Sequence, residues 1–208
     1  MYKLFIFDLD GTIVDSVDRW ADLFERTLEK VGVCVPRDHL KSTFGRDAPD
    51  TIRMLITNGK TKEATEFFMQ HQKDCIDQFG PLPHVREVFS NIKNNGHRIA
   101  IATGNNRELM NFFLKKFELD EFVDFRICSQ DVKHGKPNPE MLLKTLHHFA
   151  AKPGEVLYIA DSPLDVQAAK NAHITIGIVT TGVLCEKAAM ELHPKYIFRD
   201  LKEIEPFI

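Results

Sequence analysis

Short apolar runs rich in aliphatic and β-branched residues alternate along this chain with longer amphipathic stretches. This alternation is typical of a parallel sheet whose strands are connected by helices. The pattern predicts strands at residues 3–7, 98–102, 125–128, 156–160, 174–179 and 196–198. We therefore predict an α/β fold with a doubly wound parallel sheet.

The segment between the first two strands, residues 15–79, contains no predicted strand. Glycine, proline and asparagine divide it into helices, with breaks at Gly32 and Pro36, at residues 45–49 and at Asn58-Gly59. The first helix has an apolar stripe typical of packing in a small bundle, formed by Trp20, Leu23, Phe24, Thr27, Leu28 and Val31. We predict an α/β core of residues 1–14 and 80–208 and an inserted all-α helical-bundle cap of residues 15–79.

The composition favours a folded globular protein and is compatible with a small charged metabolite as ligand. Hydrophobic residues make up 43% of the 208 residues and charged residues 27%, which is enough for a large core. The net charge of -3 indicates no concentrated basic surface, so we expect no nucleic-acid partner. The first apolar run is interrupted by Asp8 and Asp10 and is too short to cross a membrane. We expect a cytoplasmic protein without a membrane partner, monomeric or, as the alternative, homodimeric.

The four cysteines are scattered and form no C-x-x-C pair, so neither a disulfide scaffold nor a zinc site is indicated. We expect reduced and mostly buried thiols at Cys34, Cys75, Cys128 and Cys185.

Two carboxylates, Asp8 and Asp10, follow the first predicted strand, and Gly11 permits a tight turn after them. Ligands of open α/β sheets bind at the carboxyl edge, where these acids are expected to lie. Two close acids repel each other unless a cation or a proton intervenes, and hard oxygen ligands suit Mg²⁺. Helix capping by Asp is an equally good interpretation of this pair taken alone.

Three further strand ends and turns carry polar groups. Thr103-Gly104-Asn105 offers a hydroxyl and backbone N–H groups suited to a phosphoryl oxygen, although a helix cap is the alternative. Lys136 lies in a turn-rich stretch that could fix its ammonium group beside Asp8. Asp161 and Asp165 form a second acid pair that could complete a metal site, or could cap the next helix.

These motifs together resemble those of the haloacid dehalogenase-like hydrolase superfamily, within it the phosphoglycolate phosphatase-like branch with a helical cap. The matching pieces, which span essentially the whole chain, are Asp-Leu-Asp-Gly-Thr from position 8, Thr-Gly-Asn from 103, Lys-Pro-Asn-Pro from 136 and Ala-Asp-Ser-Pro-Leu-Asp from 160. The resemblance implies a Rossmann-like core and a Mg²⁺-dependent phosphatase that forms an aspartyl-phosphate intermediate.

The resemblance also implies roles for individual residues. Asp8 would be the nucleophile, Asp10 the general acid and then base, Thr103 a phosphate-binding hydroxyl and Lys136 a charge-balancing cation. The metal would be bound by Asp8, Asp161 and the backbone carbonyl of Asp10, with Asp165 supporting the site. Gly11, Gly104 and Asn105 are expected to border the phosphate.

The substrate implied by the resemblance is a small phosphorylated metabolite. Arg46, on a loop of the cap, is the candidate for contacting a substrate carboxylate or second phosphate, and a surface ion pair with Asp47 or Asp50 is its alternative. A β-phosphoglucomutase-like phosphomutase, a pyrophosphate or nucleotide phosphatase, and a non-catalytic binding protein on the same fold are the competing hypotheses. The Ala160-Asp161-Ser162 sequence favours the phosphatase branch over the mutases, which usually carry Glu-Asp there.

Overall fold

The computed structural model describes residues 2–208, and its main feature is a six-stranded parallel sheet with helices on both faces. The strands are β1 (Leu4–Phe7), β2 (Val14–Asp15), β3 (Gly80–Pro81), β4 (Arg98–Ala102), β5 (Phe125–Ile127), β6 (Val156–Ala160), β7 (Thr175–Val179) and β8 (Tyr196–Phe198). The sheet order is β5-β4-β1-β6-β7-β8, with every neighbouring pair parallel. The predicted Rossmann-like α/β fold and its six long strands are confirmed.

The α-helices of the described residues are α1 (Val17–Lys30), α2 (Arg37–Lys41), α3 (Ala48–Leu55), α4 (Thr61–Ile76), α5 (Val85–Asn94), α6 (Arg107–Lys116), α7 (Glu140–Phe149), α8 (Pro163–Ala172) and α9 (Glu186–Glu191). Short 3₁₀ segments lie at Asp120–Phe122, Ser129–Asp131, Pro153–Glu155 and Leu201–Phe207. Within residues 2–208, no helix combines the length and the apolar character that a membrane crossing requires.

The core lies on both faces of the sheet because successive side chains of a strand point to opposite sides. In β1, Phe5 and Phe7 pack with α1, α5 and α6, whereas Leu4 and Ile6 pack with α7, α8 and α9. All four residues of β1 are buried, as expected for a central parallel strand covered on both faces. In the sheet β1 lies between β4 and β6, so its carboxyl end is next to the ends of these two strands.

Helices α1 to α4 occupy the segment between β2 and β3, which pair antiparallel through Val14 with Pro81 and Asp15 with Gly80. The predicted breaks around Gly32 and Asn58 are present. The break predicted for residues 45–49 ends earlier, because α3 begins at Ala48 and Pro49 lies in its first turn. Proline is tolerated there since the N–H groups of the first turn have no partner within the helix.

The prediction that the cysteines are mostly buried is wrong. Cys128 is buried, Cys75 is half-buried, and Cys34 and Cys185 are exposed. The exposed thiols lie outside the regular elements, in the loop after α1 and immediately before α9. None of the four is paired with another cysteine in the structure of residues 2–208.

Candidate active site

The candidate site lies at the carboxyl ends of the three central strands. Asp8 follows β1, Thr103 follows β4 and Asp161 follows β6, and these strands are direct neighbours in the sheet. The N–H of Asp8 donates to the carbonyl of Ile159 at 2.9 Å, which continues the strand pairing up to the carboxylate. The parallel strands therefore bring together Asp8 and Asp161, which are 153 positions apart in the sequence.

Three buried carboxylates form the centre of the site. Asp8, Asp161 and Asp165 each have an oxygen within 4.8 Å of the others. The buried Nζ of Lys136 lies 2.6 Å from Oδ1 of Asp8 and 2.7 Å from Oδ1 of Asp165. One lysine thus faces three acids, which leaves negative charge to be balanced by protons or by a cation.

The pKa values of these groups are displaced from their ordinary values. Burial raises the pKa of Asp8 to about 7, with a further rise from Asp165, against the attraction of Lys136. Burial, then the charges of Asp8 and Asp165, raise the pKa of Asp161 well above its usual range. Burial alone would lower the pKa of Lys136, but the attraction of Asp165 and Asp8 outweighs it and raises the pKa. Lys136 is therefore a permanent cation, whereas burial makes Asp8 and Asp161 easier to protonate than ordinary carboxyl groups.

Two glycines determine where the carboxylate of Asp161 lies. A Cβ atom on Gly182 would be 1.9 Å from Oδ2 of Asp161, and one on Gly11 would be 2.2 Å from the same oxygen. The N–H of Val183 donates to this oxygen at 2.8 Å. The backbone around Asp161 thus fixes its orientation, and Gly11 contributes by close packing, with φ +71°.

Asp165 is fully buried and is held from several sides. The hydroxyl of Tyr158 donates to its Oδ1 at 2.5 Å, and the hydroxyl of Ser162 donates to its Oδ2 at 2.5 Å. Ser162 also caps the N-terminus of α8 by accepting from the Asp165 N–H. Asp165 therefore connects Lys136, through an ion pair, to Tyr158 of β6, through a hydrogen bond.

Asp10 accepts hydrogen bonds on both carboxylate oxygens. Its Oδ1 accepts from Ser16 Oγ at 2.5 Å and from Trp20 Nε1 at 2.7 Å, and its Oδ2 accepts from Nδ2 of Asn105. Burial raises the pKa of Asp10, while these three donors oppose the rise. Its side chain is not among the three carboxylates of the central cluster within the described residues.

A small cavity joins the strand ends to the loop before α3. Its volume is about 30 Å³, and the predicted site residues along its wall are Asp8, Asp10, Arg46, Thr103, Gly104, Asn105 and Asp161. Gly104 touches the loop closely, since a Cβ there would lie 2.6 Å from the carbonyl oxygen of Gly45. Of the remaining predicted residues, Lys136 contacts both Asp8 and Asp165, and Gly11 lies against Asp161.

A second cavity of about 50 Å³ adjoins the first and also reaches Asp10, Arg46 and Asn105. Aromatic rings form much of its wall, contributed by Trp20, Phe24, Phe44 and Phe68. Arg46 donates to the carbonyl of Thr43 at 3.3 Å, and no carboxylate of residues 2–208 lies within ion-pair distance of it. The ion pair considered for Arg46 from the sequence is absent here, because Asp50 pairs with Arg53.

Sequence reasoning did not assign Ser16, Trp20, Tyr158 or Gly182 to the site. Trp20 was recognised as a core residue and is indeed buried, but its N–H contact with Asp10 has no sequence signature. Tyr158 offered a signal, since it is the one hydroxyl-bearing residue in the otherwise aliphatic run of β6. A buried hydroxyl requires a hydrogen-bond partner, which here is Asp165.

The donor set of the central cluster fits a divalent metal such as Mg²⁺. Asp8, Asp161 and Asp165 bring hard carboxylate oxygens together, and their charge exceeds that of the neighbouring Lys136. The same set is unsuited to a softer metal site, because no histidine or cysteine of the described residues belongs to the cluster.

The fold and the site define a phosphatase of the haloacid dehalogenase-like class. The model of the family "Haloacid dehalogenase-like hydrolase" matches residues 5–179, and the chain belongs to this family. Among curated proteins, "Pyrophosphatase PpaX" from Halalkalibacterium halodurans is 27% identical over 208 residues, covering 96% of this chain and 93% of its own length. The protein of the same name from Bacillus mycoides is also 27% identical, with coverage of 98% and 95%.

Two solved structures extend this similarity. The "Putative haloacid dehalogenase-like hydrolase" from Bacteroides fragilis is 27% identical with a TM-score of 0.88, covering 98% of this chain and 100% of that one. The "Putative beta-phosphoglucomutase" from Bacteroides vulgatus is 26% identical with a TM-score of 0.83, covering 96% and 84%. The fold is thus shared by proteins whose names include both hydrolases and a mutase.

Proposed function

We propose that the chain is a Mg²⁺-dependent phosphatase that hydrolyses a small organic phosphomonoester through a phosphorylated Asp8. The observation that supports this most strongly is the position of Asp8. It is buried, it is paired with Lys136 at 2.6 Å, and it shares a cavity with Asp10 and Thr103. A nucleophile, a fixed cation, a proton carrier and a hydroxyl are therefore within one small volume.

In the first step an oxygen of Asp8 attacks phosphorus, and the bond from phosphorus to the leaving oxygen breaks. Asp10 gives its proton to that leaving oxygen, so the alcohol departs neutral. The raised pKa of Asp10 supports a protonated form for this task. In the second step Asp10 takes a proton from water, the water oxygen bonds to phosphorus, and phosphate leaves with Asp8 restored as a carboxylate.

The negative charge on the transferring group is balanced by fixed donors. Lys136 is held by Asp165 at 2.7 Å as well as by Asp8 at 2.6 Å, which fixes its ammonium group beside Asp8. Thr103 and the backbone of Gly104 are in a position to contact phosphoryl oxygens, as is the backbone near Asn105. The N–H of Asn105 donates to Thr103 Oγ1 at 3.1 Å and orients this hydroxyl.

Mg²⁺, when bound, would neutralise the phosphate charge and polarise phosphorus for attack. We propose that Asp8, Asp161 and the backbone carbonyl of Asp10 hold it, and that Asp165 supports the site through Lys136. The two glycines at Asp161 maintain the carboxylate in one orientation, which favours a metal with strict geometric demands.

The segment of residues 15–79 is proposed to act as a cap over a core of residues 1–14 and 80–208. It contributes Arg46 and the aromatic wall of the 50 Å³ cavity beside Asp10. A cavity of this size and character suits a compact leaving group with some apolar surface, and the guanidinium of Arg46 suits an anionic substituent on it. A small phosphorylated metabolite of the phosphoglycolate type has both properties.

Pyrophosphate is the second candidate substrate, and the names of the curated relatives favour it. Its leaving group is a phosphate, which would bring charge against the aromatic wall of the second cavity. Among the described residues, Arg46 is the one cationic side chain that lines this cavity. The name of the Bacteroides vulgatus neighbour keeps the phosphomutase hypothesis open. A mutase would show no net phosphate release from a hexose phosphate.

Phosphate release from a panel of compounds tests the proposal, in Mg²⁺ and in EDTA, with the Asp8→Asn variant as control. The panel contains p-nitrophenyl phosphate, 2-phosphoglycolate, pyrophosphate, a hexose phosphate and a nucleotide. We expect metal-dependent release that is greatest for a small organic ester and is lost in Asp8→Asn. Greatest release from pyrophosphate would replace the substrate proposal, and no release from any compound would overturn the phosphatase proposal.

A further inference from the structure

We propose that Trp20 is a positioning residue that orients the carboxyl group of Asp10 and couples it to helix α1. The inference rests on the proposed function in so far as Asp10 is the proton carrier. Its structural basis is the direct contact from Trp20 Nε1 to Asp10 Oδ1 at 2.7 Å. An indole N–H can donate but cannot accept, so this bond imposes one direction on the carboxylate.

The indole itself is held in place by its surroundings. It stacks on Phe68 of α4, with ring centroids 5.9 Å apart, and meets the ring of Phe79 edge-on at 4.8 Å. Its side chain is nearly buried, at 7% exposure. Phe68 lies in α4, and Phe79 lies just before β3. The direction of the indole N–H therefore depends on the positions of α1 and α4.

Asp10 is thereby connected to three parts of the chain at once. Ser16 donates to Oδ1 from the turn before α1, Trp20 donates to the same oxygen from α1, and Asn105 donates to Oδ2 from the loop after β4. With both oxygens engaged, the carboxyl group can reach a leaving oxygen in one restricted orientation. A displacement of α1 would remove the indole donor and change that orientation.

The first test uses the emission of Trp20, which is the one tryptophan of the chain. We expect Asp10→Ala to change the emission maximum and intensity, because the indole N–H loses its carboxylate partner. Asp8→Ala is the matched control, since it removes a carboxylate two positions away that makes no hydrogen bond to Trp20. An emission spectrum that is unchanged by Asp10→Ala, or changed equally by Asp8→Ala, would overturn the proposal.

The second test uses the leaving group. Trp20→Phe keeps an aromatic ring and removes the donor. Its kcat/KM should fall about tenfold or more for an alkyl phosphomonoester such as 2-phosphoglycolate, whose leaving alkoxide needs the proton of Asp10. For p-nitrophenyl phosphate, whose leaving group departs without a proton, the fall should be less than about threefold. Equal falls for both substrates would indicate a purely structural role and overturn the proposal.

The two tests separate this inference from the proposed function. The emission of Trp20 does not depend on turnover, so it can be measured whether or not the chain releases phosphate. Absence of phosphate release from the wild-type protein counts against the phosphatase proposal, whereas an unchanged emission in Asp10→Ala counts against the role of Trp20.

Discussion

Tyr158 and Asp165 are joined by a buried 2.5 Å hydrogen bond, on the same carboxylate oxygen that lies 2.7 Å from Nζ of Lys136. The tyrosine comes from the middle of β6, so the lysine beside Asp8 is positioned from inside the sheet. The charged side chains of the site are thus positioned by contacts inside the sheet as well as by those at the strand ends.

We expect Tyr158→Phe to lower the free energy of unfolding by about 1–3 kcal/mol, because a buried carboxylate loses one of its donors. Urea unfolding monitored by circular dichroism measures this change. Tyr196→Phe is the matched control, since its hydroxyl bonds to Tyr2 at 3.2 Å in a partly buried place, and it should cost less. Equal costs for the two variants would contradict the role assigned to Tyr158.

Gly182→Ala should weaken Mg²⁺ binding about tenfold or more, because its Cβ would lie 1.9 Å from the carboxylate of Asp161 and displace it. Gly154→Ala is the control, since no atom lies within 4 Å of a Cβ at that position. Titration calorimetry with Mg²⁺ compares the two. Unaltered affinity in Gly182→Ala would show that Asp161 does not hold the metal in the orientation described.

The sequence allowed the six long strands and the acids at their ends to be predicted. Apolar runs such as the one before Asp8 are short and bounded by polar residues, which is typical of buried strands, and the parallel sheet then determines which ends meet. The paired strands β2 and β3 could not be predicted, because two residues are too few for a period. Their pairing depends on the return of the chain after α4, which is a tertiary effect.

The unpredicted part of the site consists of contacts between distant segments. Trp20 has the spacing of a core residue, and nothing in that spacing reveals that its N–H faces Asp10. Gly182 lies 21 positions after Asp161, and its role depends on close packing. Such roles arise from side-chain direction and available space, which a single sequence does not encode in a readable pattern.

In EDTA, the free energy of unfolding should decrease as the pH rises from about 6 towards 8, above the range in which ordinary carboxyl groups titrate. The pKa of Asp8 is raised from 3.8 to about 7 in the folded protein, so the folded state binds this proton more tightly than the unfolded chain. The resulting stabilisation is complete below the unfolded pKa and is lost as the pH passes through the folded pKa. Burial raises the pKa values of Asp10 and Asp161 in the same direction.

Denaturant unfolding across this pH range, compared with Asp8→Asn, measures the effect. The variant has no titrating group at position 8, so its dependence on pH should be weaker. Adding Mg²⁺ should restore wild-type stability at high pH, because the cation binds the ionised carboxylates. Wild-type stability that rises with pH in EDTA would contradict the raised pKa of Asp8.

Arg46→Gln should raise KM about tenfold or more for a substrate whose leaving group carries a carboxylate, such as 2-phosphoglycolate, and leave kcat within about threefold. It should change KM for p-nitrophenyl phosphate little, because that leaving group has no carboxylate. Arg53→Gln is the control, since Arg53 pairs with Asp50 on an exposed surface. Steady-state kinetics measures KM and kcat for both substrates. Equal changes of KM for the two substrates in Arg46→Gln would exclude a contact between Arg46 and the leaving group.

The proposed mechanism requires that Asp8 becomes phosphorylated, and the most direct measurement is a search for this phosphate. Asp10→Asn protein is mixed with p-nitrophenyl phosphate and Mg²⁺, quenched in acid and digested, and the peptide containing Asp8 is analysed by mass spectrometry. We predict one added phosphate on Asp8, because the variant forms the intermediate but hydrolyses it slowly. An unmodified peptide, together with phosphate release that persists in Asp8→Asn, would contradict the covalent mechanism.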